Sequence, residues 1–175
     1  MSRVSRSRGD LDETGRVSLV YEAADDDHSG ACTGLLGGDE PVLVVAVRDT
    51  PREWLAARRG WLAAGDAPSP QFVATYPHPD CVRVVADPGD LSRLALAAGD
   101  ALDAFPADAA PAVCVDAVST LLEYATPVRV GRFLQVLAGR ACAAGGTLHC
   151  HADADAVTRL PAASLLFDGV VESGP

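Results

Sequence analysis

The feature that most constrains this chain is a pair of apolar runs of strand length, Pro41–Val47 (PVLVVAV) and Ala112–Asp116 (AVCVD), the second closing on an acid. A strand with one wet face alternates apolar and polar residues, so a run without alternation needs cover on both faces. Helices must supply that cover, and the intervening segments carry helix signals. Thr50-Pro51-Arg52-Glu53 is the fullest: Thr50 can cap, Pro51 suits the first helical position, and Glu53 completes a capping box. Trp54, Leu55, Arg58, Trp61 and Leu62 follow at spacings of three and four, which puts both tryptophans on one flank as packing residues.

The same reading extends along the chain. Further strands are predicted at Val17–Tyr21, Gln71–Tyr76, Cys81–Val85 and Thr147–His151, with a last one from Phe167 to Glu172 interrupted by Asp168-Gly169. Helices are predicted over Gly30–Leu36, ended by Gly37-Gly38, and from a cap at Asp90 or Ser92 to about Phe105. A brief turn covers Ser119–Tyr124. Thr126-Pro127 restarts a helix that runs to about Ala143, with Val130, Phe133, Leu134, Leu137 and Ala141 inward and Gly145-Gly146 as its stop; Ala156–Leu166 reads as partly helical. Strands alternating with helices predict an α/β fold, a three-layer α/β/α sandwich on a mostly parallel sheet. With no repeat and no linker-like stretch, the expected organisation is a flexible leader over residues 1–15 and a single domain over 16–175.

Charge narrows the partners. The 14 basic residues are all Arg, and 24 acidic residues give a formal net charge of -10. Missing Lys and Asn, with Asp preferred to Glu, resembles proteins of halophilic archaea, in which a carboxylate surface keeps the chain soluble in salt. No nucleic-acid groove is expected, because phosphate contacts need clustered cations; Arg3, Arg6 and Arg8 read as a fraying terminus. Cys32, Cys81, Cys114, Cys142 and Cys150 are odd in number, irregular in spacing and without a CxxC, so free thiols in a reducing cytoplasm are expected rather than disulfides or a zinc knuckle. A polar N-terminus argues against a signal peptide, and no apolar run approaches the ~20 residues that span a bilayer.

Two places carry chemistry that a nucleotide would use. The turn Glu22-Ala23-Ala24-Asp25-Asp26-Asp27-His28-Ser29-Gly30 follows the first strand, where open α/β sheets bind ligands. A phosphate loop needs glycines, a Lys and a Ser or Thr. Here one glycine, Gly30, stands behind three consecutive carboxylates that would repel a triphosphate, so the residues read as an ordinary acidic surface turn rather than as a degenerate or repurposed nucleotide pocket. Asp116, closing its strand, is placed to hold magnesium as a Walker B acid does, or else to cap a turn with Ser119 and Thr120; Glu123 lies too far along to be its neighbouring acid.

A third cluster is His149-Cys150-His151 with Asp153. On a strand the two histidines share a face and Cys150 points opposite, so the imidazoles could share a zinc with Asp153 or a distant ligand, with His28 and His78 unplaced. Local hydrogen bonding of the histidines is the expectation, with no metal and no cofactor. Nucleophilic catalysis finds no support: no GxSxG places Ser119, Cys114 reads as an inert small hydrophobe, and Asp25–Asp27 lack the spacing of a calcium loop.

The stretches Ala112–Tyr124, Arg132–Leu137 and Leu148–Asp153 resemble a haloarchaeal family labelled HTR-like, which in turn resembles degenerate RecA/KaiC-type P-loop ATPases. The resemblance runs from about Val17 to Val171. It implies that Val17–Tyr21 precedes the Walker A loop, that Val113–Asp116 is the Walker B strand and that Thr147–His151 is the sensor-side strand. Gly30 and Asp116 are then the residues that would contact a nucleotide in a surviving pocket. The chain departs from the pattern in lacking the Walker A lysine and in having Ala117 where an acid would follow Asp116. The resemblance implies a non-catalytic regulatory or signalling domain working through a protein partner or self-association. The alternatives are a nucleotide switch retaining Asp116 and a metal-dependent enzyme using His149 and His151.

Overall fold

The two apolar runs lie side by side at the centre of one sheet. The computed structural model describes residues 16–22, 29–36, 38–64, 69–160 and 163–172. Its strands are β1 Val17–Tyr21, β2 Val42–Ala46, β3 Gln71–Ala74, β4 Cys81–Val84, β5 Ala112–Val115, β6 Thr147–Ala152 and β7 Gly169–Glu172. They form a 7-stranded sheet in the order β4-β3-β2-β5-β6-β1-β7. Each neighbouring pair is parallel. Every residue of β2 and β5 is buried, as their lack of alternation requires.

The helices are α1 Ser29–Leu35, α2 Pro51–Ala57, α3 Arg59–Ala64, α4 Leu91–Asp103, α5 Val118–Tyr124, α6 Pro127–Ala143, α7 Ala154–Arg159 and α8 Ala163–Leu166. They divide between the two faces. Leu19, Leu43, Val45, Val113, Val115, Leu148 and Cys150 pack with the apolar sides of α4, α5, α6 and α7. The alternate strand residues, Val42, Val44, Ala46, Phe72, Ala112 and Cys114, pack with Cys32 and Leu36 from α1 and its end, and with Trp54 of α2. The result is a three-layer α/β/α sandwich consistent with RecA-like and Rossmann-type folds. No helix among the described residues is long and apolar enough to cross a membrane.

Local chemistry sets most of the boundaries. Thr50 Oγ1 accepts from the Glu53 amide at 3.2 Å, and the Glu53 carboxylate accepts from the Thr50 amide at 2.9 Å. The helix so opened breaks at Arg58, whose backbone leaves the helical region, so the predicted single helix is two. Trp54 is buried between Trp61 and Phe72, edge-on to both with ring centroids 6.5 and 5.6 Å apart. Asp90 caps α4 by accepting from the Arg93 amide, whereas Thr126 makes no side-chain cap and Pro127 alone marks the start of α6. Gly145, at φ +76°, ends α6 in the conformation that favours glycine, and a Cβ on Gly146 would overlap the Pro111 carbonyl oxygen. The last strand begins at Gly169 rather than Phe167, because Asp168 turns its carboxylate onto the amides of Arg16 and Val17, both at 2.9 Å.

Candidate functional site

The face of the sheet beneath α1 gathers four residues that the chain keeps far apart. Cys114 of β5 and His149 of β6 are register partners, so their side chains rise side by side on one face. His151 follows His149 by two residues on that face, and the rings sit edge-on with centroids 5.4 Å apart. Cys32 comes from above. With Leu36 it forms the buried side of α1 at a spacing of four, and that spacing aims it at the sheet. Its Sγ lies 3.8 Å from Cys114 Sγ and 3.3 Å from His149 Nε2. One ligand atom from each of Cys32, Cys114, His149 and His151 falls within 4.8 Å of all the others. Their exposures are 0, 0, 2 and 1 %, so solvent does not reach the cluster.

A charged ring supports these four. Glu22, one residue past β1, is buried and takes His151 Nδ1 at 2.9 Å on one carboxylate oxygen and Arg48 Nη1 at 2.9 Å on the other. Burial works to raise its carboxyl, but the hydrogen bonds from His151 and Arg48 prevail and hold it at about 2. Burial likewise disfavours the His151 cation, yet the neighbouring Cys32 and Glu22 raise its pKa to about 9. Burial dominates at His149, whose pKa falls below the ordinary imidazole value.

The two thiols are driven apart. Burial favours the neutral Cys32 thiol, but Cys114, His149 and His151 together hold its pKa well below the ordinary thiol range, while burial and the adjacent Cys32 push Cys114 well above it. Arg58 closes the ring. Its guanidinium is buried over the Trp54 ring, 4.2 Å from the centroid, and donates through Nε to Cys32 Sγ at 3.3 Å and through Nη1 to the Trp54 carbonyl. No carboxylate forms an ion pair with Arg58 among the described residues, and its Nε–H is directed at the Cys32 sulfur instead. Two sulfur and two imidazole donors, buried and convergent, make a set that could hold a metal ion.

The residues that the sequence singled out are placed as follows. Asp116 is 1 % exposed at the end of β5, and its carboxylate is taken up by backbone amides: Val47 at 2.8 Å, Asp49 at 2.9 Å and Arg48 at 3.2 Å. It ties down the loop after β2 and does not cap a turn with Ser119 or Thr120. Burial, only partly offset by those amides, raises its pKa to about 6. Gly30 lies in the first turn of α1, exposed and with open space around it. The acidic turn Asp25–Asp27 and His28 lie outside the described residues.

Asp153, considered as a zinc partner for the histidines, instead caps α7 by accepting from the Ala156 amide at 2.8 Å. His78 lies beside Asp80 and Phe72, Glu123 is exposed, and Cys150 points to the opposite face. All five cysteines are free, with Cys32, Cys114 and Cys150 buried and Cys81 and Cys142 partly so. The alternation at His149 and His151 was visible in the sequence. The approach of Cys32 and Arg58 had no local signal, and Cys114, read as inert filler, proves to be half of a sulfur pair.

Residues 15–173 match the DUF7504 family model. The chain belongs to DUF7504, a family of unknown function. The match takes in every element of the sheet, so the cluster and the Asp116 clamp both lie within the DUF7504 region. No curated protein matches the chain.

Proposed function

We propose that this DUF7504 domain is a non-catalytic regulatory or signalling module of the cytoplasm, acting through protein–protein contact on a frame derived from a P-loop ATPase. The observation that carries the reading is the state of Asp116. An acid that serves magnesium must present a carboxylate oxygen to the ion. Here both oxygens are turned inward onto the amides of Val47, Arg48 and Asp49, and the group is buried. The chain also contains no Lys to answer a β- or γ-phosphate. The edge strand β4 supports the contact role: its Val82 and Val84 are 46 and 42 % exposed.

Titration of the untagged chain with labelled ATP and magnesium at high KCl tests the reading. The expected result is no saturable, magnesium-dependent binding. Saturable binding abolished by Asp116→Asn would overturn it in favour of a nucleotide switch.

A further inference from the structure

We propose that Cys32, Cys114, His149 and His151 form a zinc site, in which four protein ligands enclose one Zn2+ ion and pin α1 to strands β5 and β6. The inference stands apart from the interaction reading above, since it does not depend on what the domain contacts. The donor set comes first. Two thiolates and two imidazoles make up a common closed coordination set for Zn2+, and the thiolate charge offsets the charge of the ion.

Distances agree with a single ion. Zn–S bonds of about 2.3 Å at the tetrahedral angle set two sulfurs about 3.8 Å apart, and a Zn–N bond of about 2.0 Å sets sulfur and nitrogen about 3.5 Å apart. Cys32 Sγ and Cys114 Sγ are 3.8 Å apart, and Cys32 Sγ and His149 Nε2 are 3.3 Å apart. His151 completes a set whose donor atoms all lie within 4.8 Å of one another.

The surroundings are those of a ligand shell. Metal-bound histidines commonly give their second nitrogen to a carboxylate, which fixes the ring and its tautomer. Glu22 holds His151 Nδ1 in that way at 2.9 Å, and the other nitrogen, Nε2, is buried with no hydrogen-bond partner among the described residues. A buried imidazole nitrogen without a partner costs free energy, and a metal bond removes the cost. Arg58 Nε donates to the Cys32 sulfur, as a cation that stabilises a thiolate ligand would.

Burial of all four donors leaves no coordination position open to water or substrate, so the site is structural rather than catalytic. The element it holds needs an anchor. At seven residues with two glycines, SGACTGL, α1 is too short and too glycine-rich to persist by local propensity.

The test uses the full chain, purified without an affinity tag under reducing conditions at high KCl. Elemental analysis should find about one zinc per chain. Metal-free protein titrated with Co2+ should show the visible bands of tetrahedral cobalt and a thiolate-to-cobalt charge-transfer band, saturating at one equivalent. Cys114→Ala should abolish those bands. Cys150→Ser, which removes a buried thiol on the opposite face, should leave them intact. Glu22→Gln should weaken zinc affinity about 10- to 100-fold. Should Cys114→Ala fail to fold, the wild-type chain decides by itself: in urea just below the unfolding midpoint, where the buried thiols become transiently accessible, zinc should slow alkylation of Cys32 and Cys114 mapped by mass spectrometry and leave the partly exposed Cys81 and Cys142 unaffected. The proposal is overturned by reduced wild-type protein that gives neither stoichiometric zinc nor tetrahedral cobalt bands. A Cys32–Cys114 disulfide in the native chain, alkylation indifferent to zinc, or cobalt bands that survive Cys114→Ala would overturn it as well.

Discussion

On the face covered by α4, α5, α6 and α7, the buried residues are aliphatic save for Phe133, Phe167 and the thiol of Cys150. On the face beneath α1 and α2, the same strands contribute Cys114, His149 and His151, and the covering layer adds Cys32, Arg58 and Trp54. Three of the four buried side-chain nitrogen or oxygen atoms without a partner among the described residues belong to Trp54, His149 and His151 on this second face. Apolar burial is non-directional, so the first face needs only volume and pattern. Buried thiols, imidazoles and a guanidinium are costly unless directional partners meet them, so the second face needs particular atoms in particular places. The sheet thus packs aliphatic side chains on one side and gathers buried sulfur, imidazole and guanidinium groups on the other.

The sharpest way to break this comparison is to empty each side in turn. Trp54→Ala removes the ring that packs Trp61, Phe72 and Arg58, and should cost about 4 kcal/mol in urea unfolding. A loss below about 1 kcal/mol would mean that the second face contributes little to packing. Leu134→Ala, fully buried on the aliphatic face, should cost about 3 kcal/mol. That cost should be the same with zinc present or chelated; a shift of more than about 0.5 kcal/mol on chelation would show that the two faces are coupled.

Asp116→Ala probes the seam at the end of β5. It leaves the amides of Val47, Arg48 and Asp49 without their acceptor and should cost about 2 kcal/mol at neutral pH, read from the same denaturant midpoint. An unchanged midpoint would show that water satisfies those amides as well as the carboxylate does. The smallest effect belongs to Thr50→Ala, which breaks the capping box of α2 and should cost about 1 kcal/mol without altering metal content. Measurable zinc loss in that variant would extend the metal site's dependence to the start of α2.

How much of this was legible varies with the range of the interaction. The capping box at Thr50 and Glu53, the inward stripe of α6 and the strand predicted at Ala112–Asp116 rest on neighbours within a few residues, and each stands where the sequence placed it, the strand ending one residue earlier at Val115. The break at Arg58 was not legible: the helix ends where the guanidinium lies over Trp54 and reaches Cys32, a partner 26 residues away that no local pattern announces. Asp116 was legible as an acid closing a strand, but neither its burial nor its clamp on a loop 67 residues away in the chain was.

By itself the sequence determined the alternation of strands and helices, the need for cover on both faces of the sheet, and the sharing of a face by His149 and His151. All of these follow from backbone periodicity and the local placement of apolar side chains. Only the tertiary structure decided that β5 pairs with β6 so that Cys114 meets His149, that α1 lowers Cys32 onto them, and that Glu22 and Arg58 flank the cluster. Strand order and register are set by the packing of the whole chain, and four donors separated by as many as 119 positions converge only once that packing is complete.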